Sequence, residues 1–159
     1  MEADFSTVWS RVIGSASQET PDVQLRRFLL SETEDVCLLR TILSKTCDTI
    51  LCRKLSQVYT EKTQQLKRLR TALYLLAGEC KCPDASPTAC PPELLPALKS
   101  LYERVCAEAA AYRKAAAEAD RAALKTVYTA LAEAETRHAM CLMACVERLL
   151  CLSGWKAPL

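Results

Sequence analysis

From Thr20 to Gly154 the chain is built from strong helix formers and is interrupted in only three places. Thr20-Pro21-Asp22 has the form of a cap followed by proline in the first turn, and the helix it opens is predicted to reach about Lys45. The polar turn Thr46-Cys47-Asp48-Thr49 follows, in which Asp48 or Thr46 caps a second helix from about Thr49 to Ala77, ended by Gly78. A third helix is expected from near Pro92-Glu93 to about Glu118. Asp120 then caps a fourth, from Arg121 to about Leu152, with Gly154 just past its end. The predicted class is therefore all-α, with the apolar stripes of the helices buried against one another.

The long interruption spans residues 78–92 and holds four prolines and three cysteines, so it divides the chain into two short-turn hairpins. That layout fits a four-helix bundle with one long crossover, and it also fits simple up-down-up-down topology. Leu51, Leu55, Val58, Leu66, Leu69 and Leu73 form the predicted stripe of the second helix. The fourth carries Leu124, Val127, Leu131, His138, Leu142, Cys145 and Leu149. Within residues 1–20, Phe5, Val8, Trp9, Val12 and Ile13 are spaced as a short amphipathic helix that Gly14 ends. The expected domains are thus an N-terminal segment (1–20) and one bundle (21–154) with its Cys/Pro-rich connection at 78–92.

A formal net charge of +2 gives no electrostatic case for nucleic acid or an anionic membrane as partner. No apolar run is long enough to span a bilayer, and Met1-Glu2-Ala3-Asp4-Phe5 lacks the basic and apolar regions of a signal peptide. A soluble, cytoplasmic protein is expected. Ten cysteines are many for 159 residues. Cys37, Cys47, Cys52, Cys106, Cys141, Cys145 and Cys151 fall in or beside predicted helices, where free thiols are expected to pack as small buried hydrophobes.

Glu135-Thr136-Arg137-His138 carries the chemistry, because Glu and His three apart on a helix share a face and can reach one metal ion. Glu61-Lys62-Thr63-Gln64, 74 residues earlier, reads as a near copy with Gln in place of His. The pair suggests a duplicated helical hairpin that has lost part of a metal centre. Reflection through the first turn sets Glu61 opposite Glu32, and reflection through the second sets Glu135 opposite Val105, with Glu108 the nearest acid. Another register pairs Glu34 with Glu61 and Glu108 with Glu135. The candidate metal ligands are Glu32, Glu61, Glu108, Glu135 and His138, a donor set suited to iron or manganese. Against this stands the plainer reading of His138, the only histidine, as a hydrogen-bonded core residue, with Glu61 and Glu135 as ion-pairing acids.

Glu61 to Glu79, and Tyr112-Arg113 ahead of Glu135 to His138, resemble the ferritin-like superfamily, specifically small bacterial rubrerythrin-type proteins, over roughly residues 22–152. Leu39-Arg40 stands where the first half would carry Tyr-Arg. The resemblance implies a ferritin-like bundle with a carboxylate di-metal site that activates oxygen or peroxide or stores iron. The damaged ligand set instead favours a metal-free, non-catalytic binding or structural module, expected as a homodimer. Two alternatives remain: a rubrerythrin-type non-haem iron or manganese oxidoreductase, and a cysteine-based metal-handling protein. The latter would hold zinc through Cys80, Cys82 and Cys90, although that loop lacks Cys-x-x-Cys spacing.

Overall fold

A computed structural model of the chain describes residues 19–78 and 89–154. The predicted N-terminal helix, Cys80 and Cys82 lie outside them. The described residues form four helices and no strand: α1 (Pro21–Lys45), α2 (Thr49–Ala77), α3 (Leu94–Glu118) and α4 (Ala122–Leu152).

The boundaries follow from local chemistry. Pro21 occupies the first turn of α1, and the Asp48 carboxylate caps α2 by accepting from the Leu51 amide at 2.9 Å. Gly78 ends α2 in the left-handed conformation at φ 69°, where a side chain would be strained. One expected cap is displaced: Arg121, not Asp120, is the residue before α4, and no side chain caps that end.

Cross-helix pairs fix the directions. Phe28 packs on Tyr112, Ser31 bonds Glu108 and Asp35 bonds Arg104, so α1 and α3 are antiparallel. Asp48–Arg148 and Lys62–Glu135 make α2 and α4 antiparallel in the same way. Neighbours run in the order α1, α2, α4, α3 and back to α1. Hence α2 and α3 are parallel, and the end of one lies at the opposite end of the bundle from the start of the other. The connection between them is a crossover, which excludes up-down-up-down topology.

The second hairpin repeats the first at an offset of 73 residues. α1 and α3 start at 21 and 94 and end at 45 and 118, while α2 and α4 start at 49 and 122. Buried residues obey the same offset, as in Leu25 and Leu98, Leu39 and Tyr112, Leu55 and Tyr128, or Leu69 and Leu142. The equivalence is therefore one residue away from the 74 suggested by Glu61 and Glu135. Two apolar layers result. One, around Phe28, Leu69, Tyr112 and Tyr128, lies toward the start of α1; the other, around Leu39, Leu55, Leu101 and Leu142, lies toward the α1–α2 turn. A charged layer separates them.

The cysteines depart from expectation. Among the described cysteines only Cys145 is buried; Cys52, Cys106 and Cys141 are half-buried, and Cys37, Cys47 and Cys151 are exposed. The exposed Cys37 and Cys151 sit on the outer sides of helices whose inner stripes are filled by apolar residues, and Cys47 lies in the α1–α2 turn. None of the described helices is long and apolar enough to cross a membrane.

Candidate functional site

Each helix sends an acid or a base into the middle layer. Glu32 and Asp35 lie three apart on the inner face of α1, and Lys62 comes from α2. Glu108 is contributed by α3, and Glu135 with His138 by α4. The Lys62 ammonium is completely buried and is the centre of the group. Its Nζ lies 2.9 Å from Glu32 Oε2, 3.1 Å from Asp35 Oδ2, 3.0 Å from Glu108 Oε2 and 2.9 Å from Glu135 Oε2. With three protons an ammonium cannot bond all four at once. Glu32 and Glu108 accept hydrogen bonds, and Asp35 and Glu135 are held by charge.

A second ring orients the cage. Tyr112 donates to Glu32 Oε1 at 2.9 Å, and the Ser31 hydroxyl donates to Glu108 Oε1. Arg104 donates from Nε to Asp35 at 2.5 Å and from Nη2 to Glu34 at 2.9 Å. His138 Nδ1 lies 3.3 Å from Glu135 Oε1, and Nε2 lies 3.0 Å from Glu61 Oε2. Glu61 also accepts from Gln57 Nε2 at 3.0 Å.

Burial and mutual repulsion set the protonation. Burial raises Glu32 to about 7 despite the nearby Lys62, and it raises Glu108 well above the ordinary carboxylate range. Burial opposes charge on Lys62 too, but the surrounding Glu32, Glu108, Glu135 and Asp35 outweigh it and hold the ammonium protonated well above its usual range. Glu135 is lowered in spite of its burial, by Lys62 and then by His138. For His138 the cost of burial is outweighed by Glu135 and Glu61, which raise its pKa. With a carboxylate at each nitrogen, the ring donates from both when it is protonated, and the raised pKa favours that form.

The predicted ligands divide into two groups. Glu32, Glu108 and Glu135 converge, each offering an oxygen within 4.8 Å of the others, and hard oxygen donors suit a divalent cation. The point they share is held by Lys62, however. A metal bonding at about 2.0–2.2 Å would coincide with the ammonium. Both nitrogens of His138 are committed to carboxylates, and Glu61, whose side chain is 36% exposed, bonds His138 instead of entering the cage. With Lys62 in place these residues do not fit a metal. Glu34, the alternative to Glu32, sits outside on Arg104, and Val105 belongs to the apolar layer.

Lys62, Asp35 and Arg104 escaped the sequence reading. The 73-residue offset finds the first two, because it sets Lys62 against Glu135 and Asp35 against Glu108. It also sets Gln65, which is buried, against His138, whereas Gln64 is exposed. Beyond the cage, Cys145 packs in the apolar layer near the half-buried Cys141. A hydrogen bond with Cys145 lowers the Cys141 thiol to about 6, and the same contact pushes Cys145 up.

Comparison of the chain with family models, with curated proteins and with solved structures gives no match.

Proposed function

We propose that the protein is a ferritin-like bundle in which a lysine ammonium takes the place of the metal, and that it serves as a non-catalytic binding or structural module. The supporting observation is Lys62, whose Nζ lies 2.9–3.1 Å from four carboxylates contributed by the three other helices. The crossover arrangement, with α2 and α3 parallel, agrees with the ferritin-like reading.

The chemistry of the cage is static. An ammonium carries the positive charge the acids require, but it has no accessible second oxidation state and no vacant coordination position. Kept protonated, it offers no lone pair, so Lys62 acts neither as nucleophile nor as base. The cage orders the middle of the bundle by pulling all four helices onto one charge.

Removing that charge provides the test. The wild-type protein, incubated with Mn²⁺ or, without oxygen, with Fe²⁺ and then desalted, should retain only a trace of metal. Lys62→Ala strips the buried acids of their partner and should lose about 3–5 kcal/mol of stability without metal. It should also take up about one divalent ion per chain and regain thermal stability as it does so. Lys62→Met, closer in volume, serves if the alanine variant does not fold. Retention of two metals per wild-type chain would overturn the reading, as would failure of either variant to respond to metal.

A further inference from the structure

Away from the cage, toward the start of α1, an open groove of about 550 Å³ runs between α2 and α4. Its bed is apolar: Leu124 and Leu131 are buried, and Ala72, Leu76 and Val127 are half-buried. Thr71 and Thr126 also line it, but their hydroxyls already donate to the carbonyls of Lys67 and Ala122 within their own helices. That leaves their methyl groups as the available surface. At the rim Leu75 is 78% exposed, a large apolar side chain open to water.

The charges around the groove have one sign. Lys67 and Arg68 stand together at the end nearer the middle of the bundle, and Arg121 stands at the outer end. No acid lines the groove among the described residues, and none of these three cations is in an ion pair there. Elsewhere Lys62, Arg104 and Arg148 are each matched to carboxylates. A concave, mostly apolar site with a few convergent polar groups is the usual form of a small-ligand site, and this volume falls in the range of about 300–1,000 Å³ typical of such sites.

We propose that this groove binds a free fatty acid. The carboxylate pairs with Lys67 and Arg68, and the alkyl chain lies along Ala72 and Val127 toward Leu76 and Leu124. Charge complementarity selects the ligand: an apolar bed alone would take any alkyl chain, whereas two adjacent cations with no ion-pair partner among the described residues favour one with an anionic head. The proposal rests on the binding-module reading and gives that module a ligand. It draws on no residue of the cage, so metal uptake by the Lys62 variants and fatty-acid binding can fail separately.

The test is calorimetric titration of the full chain with dodecanoate below its micellar concentration, with dodecanol as the neutral comparator. Dodecanoate should bind saturably, one per chain. Lys67 and Arg68 are exposed, so the double variant Lys67→Glu/Arg68→Glu should keep the wild-type melting temperature while binding dodecanoate at least tenfold more weakly. Dodecanol should bind more weakly than dodecanoate and be indifferent to that charge reversal. Ala130→Trp, which fills the groove from its exposed side, should abolish both. Absence of saturable binding, equal affinity for the alcohol, or wild-type affinity in the double variant would overturn the proposal. So would a dimer that Ala130→Trp dissociates, because the groove would then be covered by a second copy of the chain.

Discussion

Gln65 is 3% exposed, yet neither atom of its amide has a hydrogen-bond partner among the described residues. An unsatisfied buried amide costs about 1–3 kcal/mol. Gln65→Met, which keeps the length and removes the polar atoms, should therefore raise stability by about 1 kcal/mol or more, read as a higher denaturant midpoint at unchanged m-value. Neighbouring residues explain what the sequence could reveal at this scale. The apolar stripe expected for α2 is the one observed, and Lys62 lies on it between Val58 and Leu66, whereas Glu61 points about 100° away from it. A lysine is almost never fully buried unless it is paired. His138 and Glu135 were legible from their three-residue spacing on the apolar stripe of α4, and Glu32 and Glu108 from reflection through the turns. Lys62 was not, because its burial depends on four acids from the other helices, and no local pattern reports that.

At the level of the helices, punctuation was the dependable signal. Pro21, Asp48 and Gly78 act within one turn of themselves, and α1 and α2 begin and end where those residues require. Asp48 does more than cap. Arg148, from the far end of α4, donates to its two carboxylate oxygens at 2.8 and 2.7 Å. That hydrogen bonding is the main reason Asp48 is lowered to about 2. A carboxylate lowered below its unfolded value adds stability above that value and loses it as pH falls through the folded one. The α1–α2 turn should therefore loosen in acid, between about pH 4 and about pH 2. Asp48→Ala should lower the melting temperature at neutral pH, and the variant should show a flatter acid limb in a plot of melting temperature against pH. Asp120 promised a similar cap for α4 and makes none, which shows that a suitable residue type near a boundary is not sufficient. The backbone must also bring its side chain to the free amides.

Across the whole molecule, the protonated cage tilts stability toward mild acid. His138 has a raised pKa, so its contribution is complete below its unfolded value near 6.5 and is lost as pH rises through the folded value. Glu32, at about 7 instead of 4.5, holds a proton in the native state that the unfolded chain has released, so stability falls across that interval as well. Melting temperature should decline from about pH 5 to about pH 8, and His138→Gln should flatten the upper part of that decline. If melting temperature instead rose over this interval, the protonation assigned to the cage would be wrong. The 73-residue offset carries a consequence of another kind. Lys62 and Glu135 hold corresponding stations in the two hairpins and already touch at 2.9 Å. Exchanging them by Lys62→Glu with Glu135→Lys would move the cation to the neighbouring helix α4 and leave the total charge unchanged. Each replacement alone should be severely destabilising, whereas the pair should recover much of the loss, a coupling that a thermodynamic cycle over the four proteins measures directly.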